Sequence, residues 1–231
     1  MNKKLHWFYY FGRGLMVFLM RLLTNWRVYG RENIPRFGPV LVVANHLNNA
    51  DPPLIAVSVN RRLMFMAKEE LFKNPISRYF CSRFGSFPVQ RGQIDRSALR
   101  RSKETLDTGW GLVMFPEGMR SRSGEMIPAF PGSAMIALQN DVPILPVGIT
   151  GTEKMKGISW IFKRPRITVT IGTPFNVEHE RHITKERLNE TTDLIMCRIA
   201  ALIPEKYHGC YKDKLKASEL AKGLSLTRRG L

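Results

Sequence analysis

The sequence predicts an α/β fold, a mostly parallel sheet flanked by helices. Three observations lead there. Short apolar, often β-branched runs recur at residues 39–45, 61–67, 110–115, 142–149 and 166–172. Segments with helical apolar spacing separate most of them. Polar loops rich in His, Asp, Glu and Arg leave two of the runs directly, as expected where ligands gather at the carboxyl edge of a parallel sheet.

Residues 1–30 read as a separate helical segment. Residues 5–26 hold fifteen large apolar or aromatic side chains, yet arginines limit the charge-free runs to eight and seven residues. A spanning helix needs about twenty predominantly apolar residues. On a helical wheel His6, Arg13, Arg21, Thr24 and Asn25 fall within about 120°. Six basic residues and no acid occur up to Arg31. A narrow basic stripe on a broad apolar face describes an amphipathic helix lying in a membrane interface; a helix packed on the protein's own core is the alternative. No small-residue cleavage site marks a signal peptide.

The α/β domain follows at residues 31–203. The run "PVLVVAN" (39–45) is a buried strand, and Asp51-Pro52-Pro53 opens a short helix, with Asp51 as its cap. Residues 61–67 form a second strand, followed by a helical stretch to Phe84. "GSFPV" is a short extended piece, and residues 95–109 are a helix stopped at Gly109. "WGLVMF" (110–115) is a strand that ends in a long polar loop, and "SAMIALQN" is a helix. "VPILPVGI" and "RITVTIG" are strands; the two prolines of the former suit an edge strand or a pocket wall. An amphipathic helix covers 184–203. From residue 204 the chain carries 7 Lys+Arg against 3 acids and reads as a loosely packed basic tail, 204–231.

Overall, 36 Lys+Arg against 19 Asp+Glu give a net charge of +17. Such a field favours nucleic acid, an anionic membrane or a phosphorylated substrate. Cys81, Cys197 and Cys210 form no CxxC pair and read as reduced structural thiols.

Three stretches carry candidate chemistry. In "NHLNNAD" His46 and Asp51 stand five residues apart. On a continuous helix their side chains would diverge by about 140°, so they meet only if residues 47–50 turn, which paired asparagines favour. An aspartate on one imidazole nitrogen leaves the other as a base; alternatively both residues merely satisfy loop backbone groups. In "FPEGMRSRSG" Pro116 ends a strand, Gly118 permits a tight backbone, and Glu117, Arg120 and Arg122 cluster. That is either a charged loop or an arginine fork for a phosphate or carboxylate. "FPVQRG" places Arg91 just after a short strand. The chain lacks a Gly-x-Ser-x-Gly elbow, a Walker loop and zinc-ligand spacing. A base without a nucleophile beside it points to direct activation of a substrate hydroxyl.

These stretches, in this order, resemble the four sequence blocks of the glycerolipid acyltransferase family, closest to the bacterial 1-acylglycerol-3-phosphate acyltransferases. Asn45, His46 and Asp51 match the NHxxxxD block, and residues 87–92 match the second block with Arg91. Residues 115–121 match Phe-Pro-Glu-Gly-(Thr/Ser)-Arg-Ser except at Met119, and residues 142–147 match VPxxPV. Phe130 stands where relatives often carry a basic residue. The likeness covers roughly residues 28–180.

The resemblance implies that His46 is a general base oriented by Asp51, acting without a covalent intermediate, metal or other cofactor. It implies that Arg91 and Arg120, with Lys68 as a further candidate, hold the acceptor's phosphate, and that Glu117 and Gly118 shape the glycerol pocket. The acceptor would be lysophosphatidic acid in the membrane. The donor would be acyl carrier protein or CoA carrying an acyl thioester, and the place the cytoplasmic face of the cell membrane. Other acceptors, namely glycerol 3-phosphate, a lysophospholipid or a lyso-ornithine lipid, remain open on these residues. A nucleic-acid-binding protein would interleave aromatics with Lys and Arg; here the aromatics gather among aliphatics at the N-terminus, so nucleic acid is not an expected partner.

Overall fold

The computed structural model describes residues 7–89, 95–180 and 182–217. Among them a seven-stranded sheet runs in the order β1-β7-β6-β2-β5-β3-β4. Its strands are β1 (Asn25–Tyr29), β2 (Val40–Ala44), β3 (Leu63–Lys68), β4 (Ser86–Val89), β5 (Gly111–Met114), β6 (Ile144–Thr150) and β7 (Arg166–Ile171). Every pairing is parallel except β6 with β7.

Alternation along β2 explains the layers. Leu41 and Val43 face a core built with α4 (Arg96–Asp107), α5 (Gly132–Gln139) and α7 (Lys185–Ala200). Val40, Val42 and Ala44 face a second core with α1 (Trp7–Leu23) and α2 (Asp51–Ser58). All five β2 residues are buried, which is why the strand reads as an unbroken apolar run. Helix α4 begins on Asp95, whose carboxylate accepts from Ser97 N and Ala98 N, and Gly109 follows its end at φ 77°.

Four expectations are corrected. Residues up to 30 are not all helical: α1 stops at Leu23, and β1 joins the sheet beside β7. Only alternate residues of β1 are half-buried, so its short edge pattern is hidden behind the apolar run before it. Arg13 does not face outward in a basic stripe; it donates to Ala56 O (3.3 Å) and Asn60 Oδ1 (2.9 Å) around α2. The strand with two prolines is interior, not an edge. Pro146 lies opposite Val43 of β2 but one residue outside the β7 ladder, which starts at Val147–Ile171, so its missing N–H leaves that ladder intact.

The C-terminal segment is the fourth correction. Tyr207, His208, Tyr211 and Leu215 are buried, and the two tyrosines and Leu215 extend the core beneath α7. A basic composition obscured this, because Lys206, Lys212, Lys214 and Lys216 point their charges to solvent between the packed rings. Residues 1–6 and 218–231 of the expected terminal segments lie outside the described residues.

Candidate active site

Strand β2 releases the chain at Asn45. The Asn45 amide replaces the next rungs of the ladder, donating to Ile149 O (2.9 Å) and accepting from Ile149 N (2.8 Å). That anchors the following residue, His46, at the carboxyl edge of the sheet.

The turn at 47–50 brings Asp51 back to His46. Asp51 N donates to Asn48 O (3.1 Å), and Asn48 Oδ1 accepts from Ala50 N (3.1 Å). Asn48 also reaches Met155 O through its Nδ2 (3.2 Å). Asp51 occupies the first turn of α2 but does not cap it. Instead Asp51 Oδ2 accepts from His46 Nδ1 (2.8 Å), Leu47 N (2.6 Å) and Asn48 N (2.7 Å). The same oxygen therefore satisfies the loop backbone and grips the imidazole. A carboxylate only accepts, so Nδ1 carries the proton and Nε2 presents its lone pair. Nε2 bonds to no described residue.

The second loop holds His46 from the other side. Glu117 Oε1 accepts from His46 N (2.9 Å), and Ser121 N donates to His46 O (2.8 Å). The imidazole stacks on Phe115, centroids 4.2 Å apart at 25°. Glu117 is fully buried, and its Oε2 accepts from Ile127 N (3.1 Å). Burial pushes this carboxyl up to about 7, with the Asp51 charge adding to it and the two backbone N–H groups opposing. Glu117 thus turns inward as a clamp on two backbone segments rather than lining a glycerol pocket. Gly118 lies at φ 66°, and the Phe130 ring stands 2.7 Å from where its Cβ would be.

The basic candidates are less closely gathered. Arg120 is exposed and forms no ion pair with a described residue. Lys68 ends β3 and pairs with Glu70 at 2.9 Å, both about half exposed, a contact of little energetic weight. Arg91 lies outside the described residues. Among the described residues no group of three or more His, Cys, Asp or Glu is placed to hold a metal ion.

An apolar cavity of about 330 Å³ adjoins the site, lined among others by Met66, Leu99, Met114, Phe115, Phe130 and Leu188. Phe115 carries the imidazole on one face and borders this cavity, so it links the two. The cavity is not legible in the sequence because its lining comes from six helices and strands, β3, β4, β5, α4, α5 and α7, and the loops between them. Nor are the long-range bonds of Asn45, Asn48 and Tyr211 legible there, because Ile149, Met155 and Ala129 are distant in the chain.

The chain is similar to known proteins in both sequence and fold. The family model described as Acyltransferase matches residues 25–150. A 1-acyl-sn-glycerol-3-phosphate acyltransferase of Bacillus subtilis (strain 168) is 27% identical over 196 residues, covering 84% of this chain and 96% of its own. One from Streptococcus pneumoniae is 29% identical over 202 residues, 86% of this chain and 74% of its own. The crystal structure of the 1-acyl-sn-glycerophosphate acyltransferase PlsC from Thermotoga maritima superposes with a TM-score of 0.60 at 28% identity. That match covers 81% of this chain and 83% of the other.

Proposed function

Because the chain belongs to the acyltransferase family, we propose that it transfers an acyl group from an acyl thioester to the free hydroxyl of 1-acylglycerol 3-phosphate, forming phosphatidic acid. The observation that carries this reading is the His46–Asp51 pair. Asp51 Oδ2 holds Nδ1 at 2.8 Å, and Nε2 is left as a base beside an apolar cavity. Nε2 takes the proton of the acceptor hydroxyl as that oxygen attacks the thioester carbonyl. The tetrahedral adduct collapses by breaking the C–S bond, and the imidazolium returns the proton to the leaving thiolate. Asp51 stabilises the imidazolium between the two steps. No covalent enzyme intermediate is needed.

The remaining parts suit the same chemistry. The 330 Å³ cavity falls in the usual range for a ligand pocket and its apolar lining suits an acyl chain. Arg120, exposed and without an ion-pair partner among the described residues, is available to the acceptor's phosphate, with Arg91 and Lys68 as further contacts. The donor is acyl carrier protein or CoA, whose acidic character suits the +17 chain.

The enzyme works at a membrane surface, on the cytoplasmic face. No helix among the described residues is long and apolar enough to cross a membrane. Helix α1, however, exposes Phe11, Leu15, Phe18 and Leu22. These four fall within about 60° of one another on the wheel, opposite Met16 and Met20, which pack on the core. An apolar stripe facing away from the protein is what an interfacial helix presents to lipid. Its lack of acidic residues suits an anionic leaflet.

The deciding experiment presents purified protein with lysophosphatidic acid, glycerol 3-phosphate, a lysophospholipid and a lyso-ornithine lipid, each with acyl-CoA and acyl carrier protein donors. Phosphatidic acid formed from lysophosphatidic acid, and lost in His46→Ala, is expected. Faster turnover of any other acceptor would overturn the assigned substrate.

A further inference from the structure

Residues 204–211 lie outside the segment that matches the family model, yet they are bonded to the loop that builds the site. This strap contains two short 3-10 turns, Glu205–Tyr207 and Gly209–Tyr211. Met126 N donates to Tyr207 O (2.8 Å), and Cys210 N donates to Met126 O (3.4 Å). Ala129 N donates to the Tyr211 hydroxyl (2.9 Å), and the Tyr207 hydroxyl donates to Glu153 Oε1 (2.9 Å). Gly209 sits at φ 51°, and a Cβ there would lie 2.0 Å from Met126 O. Only glycine lets the strap approach so closely.

The loop between these attachment points faces the site on its other side. Ile127, bracketed by Met126 and Ala129, donates its N–H to Glu117 Oε2 (3.1 Å), and Glu117 Oε1 accepts from His46 N (2.9 Å). Phe130, next along, packs on Gly118 and lines the cavity. Strap, loop, carboxylate and imidazole-bearing backbone thus form one chain of bonds, every link at hydrogen-bond distance. Glu117 is fully buried, so losing one of its two N–H partners would leave an oxygen unsatisfied where water cannot replace the bond. The carboxylate would then have reason to move, and His46 with it.

We propose that the C-terminal strap is a positioning element of the active site, in which Tyr207, Gly209 and Tyr211 hold residues 126–129 so that Ile127 and Glu117 fix the backbone of His46. Neither tyrosine touches the reacting atoms. Both hydroxyls are held protonated, pushed up to about 12 chiefly by burial, so the strap stays in one bonding state across physiological pH. The turnover readout rests on the proposed role of His46; the bonding itself does not.

The test compares wild type with Tyr211→Phe, with the double variant Tyr207→Phe/Tyr211→Phe, and with Cys210→Ala as a control that keeps every strap bond. Amide hydrogen exchange is read at His46 and Ile127 and, as a reference, along β7. In the tyrosine variants exchange at His46 and Ile127 is expected to rise by about 2- to 10-fold, the range set by one lost hydrogen bond. β7 and the control stay unchanged. Turnover should fall by a similar factor with donor KM unaltered. Unchanged protection at His46 and Ile127, or equal acceleration at β7, would overturn the proposal. A protein that shows the exchange effect but makes no phosphatidic acid would keep the strap and lose the assigned reaction.

Discussion

Glu117 Oε1 lies 2.9 Å from the main-chain nitrogen of His46, so the acidic residue of one loop holds the backbone of the other rather than a substrate. The two residues are separated by 71 positions. The arrangement divides the labour at this site. Asp51 Oδ2 holds the imidazole ring, Glu117 and Ser121 fix the peptide that carries it, and in the proposed reaction Nε2 serves the acceptor.

Under the proposed mechanism, removing His46 should be the most damaging single change. His46→Ala is expected to lower turnover by about 10²–10⁴, with the circular dichroism of the folded protein retained. Asp51→Asn should approach the same loss, because an amide in place of Oδ2 no longer dictates which imidazole nitrogen is protonated. Single-turnover kinetics with the best acceptor measures both; turnover within a few-fold of wild type in His46→Ala would exclude the mechanism.

Glu117 should give the protein a pH-dependent stability. Its carboxyl is raised from an ordinary 4.5 to about 7, first by burial. Below 4.5 the group is protonated whether the chain is folded or not. Between 4.5 and 7 the unfolded chain has released the proton and the folded chain retains it. Folding stability therefore falls as pH rises through this window, by up to about 3 kcal/mol. Urea unfolding from pH 4.5 to 8 should show that slope, and Glu117→Gln should abolish it. Gln also cannot accept from both His46 N and Ile127 N, so the variant should be less stable at low pH.

The phosphate assignment predicts a selective effect on the acceptor. Arg120→Ala and Arg91→Ala should each raise the KM for lysophosphatidic acid by roughly 10-fold or more, as a charge-assisted bond implies. The donor's KM should not change. Equal effects on donor and acceptor would point to steering of both anions by the general field instead.

Gly118 is constrained twice, by its φ of 66° and by the Phe130 ring 2.7 Å from where a Cβ would sit. Gly118→Ala should destabilise the fold by about 1–3 kcal/mol. Adding Phe130→Ala should recover the steric part only, since the backbone strain of about 1–2 kcal/mol remains. Thermal unfolding of the two single variants and the double variant separates these contributions.

For membrane binding, deletion of residues 1–27 is a poor test, because it would also remove part of β1. Replacing Phe11, Leu15, Phe18 and Leu22 together by Ser leaves the core-facing residues of α1 in place. This variant should stay in the supernatant under conditions where wild type sediments with anionic vesicles. Continued vesicle binding would move the contact elsewhere on the molecule.

Local patterning made much of this protein readable from its sequence alone. The β-branched runs, the helical spacing between them and the turn-forming asparagines before Asp51 each report on neighbours within a few residues, and they suffice for an α/β sheet with His46 and Glu117 at its carboxyl edge. What they cannot report is pairing between distant segments. β1 looked like the end of a helix because its partner, β7, begins at Arg166, and a half-buried edge strand carries too weak an alternation to stand out beside an apolar helix. The tail read as loose because its charges outnumber its two packed tyrosines, although Tyr211 reaches Ala129 across 82 residues. The resemblance implies a pocket role for Glu117, but a motif carries the charge and not the direction it faces, and here both oxygens turn to backbone N–H groups. Periodicity and turn chemistry determined the layers and the motif positions. The tertiary structure alone decided which buried polar groups satisfy one another, because burial makes each unpaired donor or acceptor costly, and the cheapest partner for such a group is often far away in the chain.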